Sequence, residues 1–285
     1  MRGIYIQGAT VILMIILLLL STVLNPTSEE TIKFFPLDPS VEFTSADTHL
    51  SLVEQTGNDQ YLMKWETESQ LSKPAYLRQD VSLLYMDGKL KGVKGLWKQE
   101  EQNIVLQLEF EESDSTHFEA VTFHYGEIHN DKDNDIKSVQ KMTSDSLYVV
   151  DSPHSLLESF RDPESKEQKE WKETLDHTKN QHLDYMWRNW IKEAAINTDN
   201  YYFVPLTSIV DYATKPLTGL TQDETDRVIG QLWEGLYKNY ILPIANAEKI
   251  TNHTMPLILI DKNNDHLIVL FRNDQNQLEK LIQQI

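Results

Sequence analysis

The chain has 285 residues, with 26 lysines and arginines against 44 aspartates and glutamates, a formal net charge of -18 and no cysteine. The absence of cysteine excludes disulfide bonds, Cys-ligated zinc or iron-sulfur sites, thiol nucleophiles and an acylated N-terminal cysteine. The acidic balance, without any cluster of basic residues, argues against nucleic acid as a partner, because phosphate binding needs a basic surface.

The first predicted element is a transmembrane helix at residues 4–24. Residues 3–28 contain no charged side chain, and residues 11–20 are an unbroken apolar run. A helix needs about 20 such residues to cross a bilayer. A cleaved signal peptide is the alternative, but residues 21–26 contain no Ala-x-Ala-like cleavage site. We therefore predict an uncleaved anchor, with a two-residue tail, in residues 1–25.

The charges beside this segment predict its orientation. Arg2 and the amino terminus precede it, and Glu29 and Glu30 follow it, so the positive-inside rule places the N-terminus in the cytoplasm. The expected location is the cell membrane, with a single span and an extracytoplasmic C-terminal domain. A chain without cysteine is compatible with an oxidising compartment.

An extended tether is predicted for residues 26–45, because Pro26, Pro36 and Pro39 disfavour helix there. Residues 46–151 are predicted to form an antiparallel β-meander, since apolar and polar residues alternate and turn signals recur about every 8–12 residues. Such alternation is typical of half-buried strands. The clearest hairpin has Asp87-Gly88 as a two-residue type I′ turn. The predicted strands are residues 50–55, 61–66, 81–86, 89–97, 104–110, 121–125 and 146–150.

Residues 152–285 are predicted to be mainly helical. Asp162-Pro163-Glu164 is expected to start a helix that ends near Ile196. Residues 221–224 form a capping box, which predicts a helix with an apolar face from Val228 to Tyr240. The remaining predicted elements are a short helix between Pro205 and Pro216, a hairpin of residues 257–260 and 267–271, and a final helix through Leu278, Leu281 and Ile282. The predicted fold class is α+β, and we favour one ectodomain with two subregions, residues 46–151 and 152–285.

A metal site is the first chemical hypothesis, because His117, His124 and His129 lie close together in the sequence, with Glu119 and Glu127 among them. Strand alternation points His124 to the polar face, whereas His117 and His129 fall near strand ends. Zinc needs converging ligands, and convergence is not expected here. The favoured interpretation is exposed strand and turn histidines, so no metal site is predicted.

Other motifs are incomplete. Residues 131–135 and 261–265 have alternating oxygen-bearing side chains, but neither run continues with the glycine and glutamate of a calcium loop. Residues 138–141 match Ser-x-x-Lys without the companion hydrolase motifs, and no phosphate-binding glycine pattern is present. The aromatic residues within 185–190 have helical spacing, which favours a core position over a ligand surface. We therefore predict no catalytic residues and no cofactor.

The expected function is that of a noncatalytic, membrane-anchored interaction protein, a regulator or assembly factor of the bacterial cell envelope. Its expected partners are the membrane, through residues 4–24, and another envelope protein. One span with an acidic exterior that is rich in lysine, glutamate and asparagine has the general character of a Gram-positive envelope protein. Two alternatives stay open: an envelope hydrolase with a site assembled only in three dimensions, and a small-ligand-binding ectodomain with a groove between sheet and helices.

Overall fold

The computed structural model describes residues 32–57, 60–130, 135–152, 156–246 and 253–285. The predicted anchor, the first part of the predicted tether and most of the acidic loop at residues 131–135 lie outside the described residues. Among the helices that are described, none combines the length and the apolar character needed to cross a bilayer.

Within the described residues, six antiparallel strands form the first sheet. Their spatial order is β1-β2-β4-β5-β6, and β3 pairs with the other edge of β2. The strands are β1 Phe43–Gly57, β2 Gln60–Met86, β3 Lys89–Glu112, β4 Thr116–Asn130, β5 Asp135–Val150 and β6 Glu158–Phe160. The predicted α+β class with an antiparallel meander is thereby confirmed. The strands are longer than the segments predicted from the sequence.

Strand β2 bends and contributes to two layers. Its residues 60–71 pair with β1, its residues 77–86 pair with β4, and its pairing with β3 is interrupted between Gln70 and Ala75. Nε1 of Trp65 in the first half donates to Oγ of Ser82 in the second half, at 3.2 Å. The two halves therefore face each other. Layer 1 contains β1 and the first half of β2, and layer 2 contains the second half of β2 with β4 and β5.

The predicted turn at Asp87-Gly88 is confirmed. Met86 pairs with Lys89, and Asp87 and Gly88 have φ values of 48° and 75°, as a type I′ turn requires. A Cβ on Gly88 would also lie 2.8 Å from a side-chain carbon of Leu183. Glycine is therefore favoured here both by the turn and by packing.

The second half of the chain contributes helices and a second sheet. The helices are α1 Lys166–Glu193, α2 Gln222–Leu236 and α3 Leu242–Ala245, with 3-10 helices at Thr198–Asn200 and Leu206–Ala213 and a π-helical turn at Tyr237–Ile241. The second sheet has the order β10-β9-β8-β7. Its strands are β7 Tyr201–Pro205, β8 Leu257–Asp261, β9 His266–Arg272 and β10 Leu278–Gln284. The capping box of α2 forms as predicted, with reciprocal bonds between Thr221 and Glu224.

Several predicted details in this half are wrong. The N-cap of α1 is Ser165, whose Oγ accepts from the N–H of Gln168 at 3.0 Å, rather than Asp162. The predicted final helix is strand β10, because seven of its residues pair with the edge of β9, a long-range partner that outweighs local helical spacing. The short element after Pro205 is a 3-10 helix, and strands β6 and β7 were not predicted.

Residues 32–42, hereafter the arm, differ from the predicted tether because they lie against the folded unit. Ile32 and Val41 are 1% and 4% exposed, and Leu37 forms an isolated parallel bridge with Ser138 of β5. The backbone is extended as the prolines predict, but Ile32 and Val41 are buried and Phe34, Phe35 and Leu37 are half-buried. Residues 32–285 form one unit by their contacts.

Strand β4 of layer 2 is buried on both faces, so the prediction of half-buried strands is wrong for it. Val121, Phe123 and Tyr125 join the core that includes α2, whereas Thr122 and His124 on the opposite face are also 0% exposed. The second face is covered because β2 folds layer 1 over it, which strand alternation alone does not reveal.

Candidate functional site

A buried network of polar side chains lies between the two layers. Nδ1 of His124 is 2.7 Å from Oδ2 of Asp80, and its Nε2 is 2.8 Å from Oγ1 of Thr143. Asp80 Oδ2 also accepts from Oγ of Ser69 at 2.6 Å. Arg78 donates to Ser69 and lies 3.5 Å from Asp80 Oδ1. Since the side chains of Arg78, Asp80 and His124 are 0% exposed, this network is closed to a substrate.

Arg78 is the costliest group in this network to bury. Its NH1 donates to the backbone oxygen of Tyr125 at 2.6 Å. Burial lowers the pKa of the Arg78 guanidinium, while Asp80 acts in the opposite direction. Arg78 Nε and Asp80 Oδ1 have no hydrogen-bond partner among the described residues. The pair therefore depends on few contacts, and each is expected to matter.

The interpretation of the histidines as exposed is wrong for two of them. His117 and His124 are 3% and 0% exposed, because each faces a second layer or a helix. His129 lies at a strand end, where it bonds to Glu127 and stacks on Tyr76 at 3.7 Å. The structure does not bring the three together, and no group of three or more histidines or acids in the described ranges is arranged to hold a metal ion.

A polar cleft with a volume of about 490 Å³ opens on the edge of layer 2. Side chains with hydroxyl, carboxylate or cationic groups predominate in its lining, which is Glu119, Ala120, Ser144, Asp145, Ser146, Tyr148, Arg161, Asp162, Lys172, Thr207, Ser208, Val210 and Asp211. Several of these groups already have partners within the fold. Arg161 binds both carboxylate oxygens of Asp145, at 2.8 and 2.6 Å.

Beside this cleft, three side chains have the residue types of a serine hydrolase triad. Oγ of Ser146 is 2.6 Å from Nε2 of His117, and Nδ1 of His117 is 3.5 Å from Oδ1 of Asp176. In a working triad the histidine accepts the serine proton while the carboxylate binds Nδ1–H. The function of this group therefore depends on which nitrogen of His117 carries the proton.

Lys179 places that proton on the wrong nitrogen for catalysis. Its Nζ lies 3.2 Å from Nδ1 of His117, and an ammonium group can only donate. Nδ1 is then an acceptor, so neutral His117 carries its proton on Nε2 and donates to Ser146. Asp176 is occupied by the hydroxyl of Tyr148 at 2.7 Å and by Lys172 at 2.6 Å. This arrangement connects α1 to β4 and β5 and does not activate Ser146.

The buried, neutral state of His117 predicts that stability falls as the medium is acidified. Burial, followed by the charge of Lys179, lowers the pKa of His117 from 6.5 to about 3, although Asp176 acts in the opposite direction. Between these values the unfolded chain binds a proton at His117 and the folded chain does not, so this group's contribution is complete above pH 6.5 and is lost towards pH 3. The expected loss is about 1.4 kcal/mol per pH unit from this group alone.

Urea denaturation of the wild type and of His117→Gln between about pH 7.5 and pH 4 tests this expectation. As the pH falls, the unfolding free energy of the wild type should decrease more than that of His117→Gln. A difference that stays constant with pH would show that His117 is protonated in the folded state as readily as in the unfolded chain.

The arm is fixed to β5 and to α2 by backbone hydrogen bonds. Ser138 of β5 donates its N–H to the oxygen of Pro36 at 2.9 Å and accepts from the N–H of Asp38 at 2.8 Å. The N–H of Phe34 donates to Oε2 of Glu234 on α2, at 2.8 Å. The arm therefore crosses the edge of layer 2 at one defined point.

A groove with a volume of about 710 Å³ lies beside this crossing, and we call it the arm groove. Apolar residues make up half of its lining, and charged and neutral polar residues make up the rest: Phe34, Pro36, Leu37, Asp38, Pro39, Val41, Glu42, Phe43, Ser138, Val139, Gln140, Lys141, Asp223 and Arg227. Val41 and Val139 belong to one small core cluster, against which Phe43 packs. The ring of Phe43 also lies 5.0 Å from the guanidinium of Arg78, so it separates the groove from the interlayer network.

The charged lining of the arm groove has both signs. The arm supplies Asp38 and Glu42, β5 supplies Lys141, and α2 supplies Asp223 and Arg227. Burial would raise the pKa of Asp38, but hydrogen bonds from Ser40 and the charges of nearby lysines outweigh burial and lower it. Neither cationic side chain has a hydrogen bond or an ion pair within 4 Å among the described residues, although Arg227 interacts electrostatically with Glu224 one turn away. Both can therefore contact a ligand.

Two glycines of α2 provide a matched test of how the arm packs against this helix. A Cβ on Gly230 would lie 2.5 Å from Oε1 of Gln140 and 2.7 Å from a ring carbon of Phe34, whereas a Cβ on Gly235 would have its nearest described neighbour, a side-chain carbon of Leu281, at 3.9 Å. We expect Gly230→Ala to destabilise the fold by about 1–3 kcal/mol through overpacking. Gly235→Ala should stabilise it by up to about 1 kcal/mol through helix propensity.

Tryptic cleavage after Lys33, an exposed arm residue, and denaturation of both variants check this pair. Gly230→Ala should speed cleavage and Gly235→Ala should not. Equal cleavage rates would mean that the arm does not depend on its contact with α2.

The sequence did not predict the arm groove. Residues 138–141, considered as a Ser-x-x-Lys motif, instead form one wall, and Oγ of Ser138 donates to the oxygen of Phe35 at 2.6 Å. Within the aromatic stretch at residues 185–190, Trp190 is buried in the core at 0% exposure, whereas Tyr185 is 68% exposed. The one usable local signal was Asp38-Pro39-Ser40, which favours a turn and is the point where the arm leaves β5.

No family model matches the chain, and no curated protein matches it. Among solved structures, the chain is similar to the CARDB domain of a Pyrococcus furiosus protein in complex with di-metal ions, at 9% identity, with 39% of this chain and 97% of that chain covered and a TM-score of 0.21. It is also similar to a protein of Bacillus subtilis described as a lipoprotein, at 10% identity, with 88% of this chain and 94% of that chain covered and a TM-score of 0.17. At such TM-scores neither similarity carries an argument about function.

Proposed function

We propose that this chain is a noncatalytic, membrane-anchored interaction protein of the bacterial cell envelope, a regulator or assembly factor whose ectodomain binds another envelope protein in the arm groove. The observation that carries the proposal is the groove, with its apolar floor at Val41, Phe43 and Val139 and its unpaired Lys141 and Arg227. Apolar contact area with a few charged groups at the rim is the usual composition of a binding site. The polar cleft offers no comparable support for hydrolysis, because Lys179 holds His117 in the unsuitable tautomer.

The proposed topology rests on the uncharged N-terminal segment and on Arg2, Glu29 and Glu30 beside it. A reporter enzyme that is active only outside the cytoplasm is expected to work when it is fused after Ile285. The measurement is a comparison with a reporter that is active only in the cytoplasm, at the same position. Activity of the cytoplasmic reporter alone would reject the topology.

Crosslinking in intact membranes tests the proposed site. The wild-type chain should yield an adduct with a partner protein, and Arg227→Glu should reduce that adduct by about tenfold, since it reverses an unpaired charge in the groove. Arg188→Glu is the control for a charge reversal away from the groove, because Arg188 lies on α1 with an 80% exposed side chain and only an exposed ion pair with Asp184 at 3.5 Å. Recovery of monomer alone, or an equal adduct from both variants, would exclude the arm groove as the docking site.

A small ligand is the second candidate for the same groove. Its volume of about 710 Å³ falls within the range of about 300–1,000 Å³ that is usual for small-molecule sites. This alternative keeps the function noncatalytic and changes only the class of molecule that binds.

A further inference from the structure

Strand β5 has an open edge inside the arm groove. Ser138 directs both its N–H and its C=O away from β4, to the arm. The pairing of β4 with β5 is regular from Thr116↔Val149 to Asn130↔Asp135, and in an antiparallel pair the backbone groups of alternate residues point the same way. Gln140 therefore also points its N–H and C=O away from β4. No partner for these two groups lies among the described residues.

The turn after Asp38 leaves this edge uncovered. If the arm continued its parallel pairing, Ser40 would donate its N–H to the oxygen of Gln140. Instead the N–H and the hydroxyl of Ser40 both bond to Oδ1 of Asp38, at 2.9 and 2.7 Å. Pro39 between them has no N–H to offer. The arm thus makes a single bridge and turns away, and the groove occupies the space beside the strand.

The groove also has side chains that could contact such a strand, and Lys141 lies on the same face of β5 as Val139. Val41, Phe43 and Val139 form an apolar surface on one side. Arg227 of α2 and Lys141 of β5 carry unpaired positive charges at the rim. An exposed strand edge is a template for another strand, and strand addition combines backbone bonds with pockets for alternate side chains.

We propose that the arm groove binds an extended segment of the partner protein, which adds as a short strand to β5 at Gln140. An apolar side chain of this segment lies on Val41, Phe43 and Val139, and a carboxylate lies near Arg227. This inference rests on the proposed function and specifies the chemistry of the partner: an extended segment in which apolar and acidic residues alternate.

The test uses the full chain in lipid nanodiscs and a panel of terminally blocked hexapeptides in which valine, isoleucine or phenylalanine alternates with glutamate. Hydrogen exchange at the Gln140 amide is measured with and without peptide. We expect a saturating acidic peptide to slow this exchange by about tenfold or more, because the amide gains a partner. Peptides with lysine in place of glutamate should bind more weakly, and Arg227→Glu should reverse that preference.

The matched controls are two versions of the same peptide, each with N-methyl groups on one of the two sets of alternate backbone nitrogens, so that every side chain is kept and the donors of one edge are removed. Loss of binding for one of the two methylated peptides supports strand addition. The inference is overturned if no peptide in the panel slows exchange at Gln140, or if both methylated peptides bind as well as the unmethylated one. It is also overturned if laurate occupies the groove and displaces the peptides without protecting the amide, which would indicate a small amphiphile.

The two proposals fail in different ways. A crosslinked partner that is lost in Arg227→Glu, together with no peptide effect at Gln140, rejects strand addition and leaves the arm groove as the docking site. A crosslinked adduct that is unaffected by Arg227→Glu rejects the docking site itself.

Discussion

Replacement of Asp80 by alanine is expected to lower the free energy of unfolding by about 3–5 kcal/mol. Asp80 is the only anion in the described part of the chain within 4 Å of Arg78, and both side chains are 0% exposed. Its removal leaves a buried guanidinium without a counterion and takes away the carboxylate partner of His124 and Ser69. Urea denaturation at neutral pH measures the effect directly.

A double variant separates the loss of the pair from the loss of one partner. Arg78→Met with Asp80→Leu removes both charges and restores apolar volume between the layers, so it should lie much closer to the wild type than Asp80→Ala does. An Asp80→Ala protein within about 1 kcal/mol of the wild type would show that Arg78 is solvated in the interior and does not depend on Asp80.

Local sequence signals correctly predicted those elements that are stabilised by contacts between residues close in the sequence. The type I′ turn at Asp87-Gly88 needs only two residues with positive φ, and the capping box at Thr221 needs only Glu224 three positions later. The prediction of a final helix was wrong for the opposite reason, because β10 forms by pairing with the edge of β9. Short apolar runs with ambiguous spacing take the structure that their distant partner provides.

Local sequence patterns could not predict the candidate site, because its residues come from distant positions in the sequence. The bend of β2 brings Trp65 to Ser82 and buries His124, although alternation correctly placed His124 opposite Phe123. The arm groove depends on Phe34 meeting Glu234, a separation of 200 residues. Prolines in the arm indicated an extended backbone, but no local pattern indicates the surface on which that backbone lies.

Trp233 connects these distant parts, because it holds α2 against layer 2. Its ring stacks on Phe123 of β4, with centroids 5.0 Å apart and planes 12° apart. Its Nε1 lies 3.2 Å from the sulfur of Met142 on β5. One turn earlier, Gly230 packs against the arm, so the same helix supports the wall of the arm groove.

Trp233→Ala is therefore expected to lower the free energy of unfolding by about 3–5 kcal/mol, since it removes a fully buried indole and leaves a cavity between α2 and layer 2. It should also loosen the seat of the arm and speed tryptic cleavage after Lys33. Trp233→Phe should cost less, because it keeps an aromatic ring on Phe123.

Tyr185→Ala is the matched control for Trp233→Ala, because Tyr185 is also a helical aromatic residue but is 68% exposed. Its effect should stay within about 0.5 kcal/mol. If Trp233→Ala unfolds with the same midpoint and slope as Tyr185→Ala in urea, α2 is not held by its aromatic contact with β4. A Trp233→Ala protein that loses stability but keeps the wild-type cleavage rate at Lys33 would show that the position of the arm does not depend on the packing of α2. The groove wall would then depend mainly on the hydrogen bonds between the arm and Ser138.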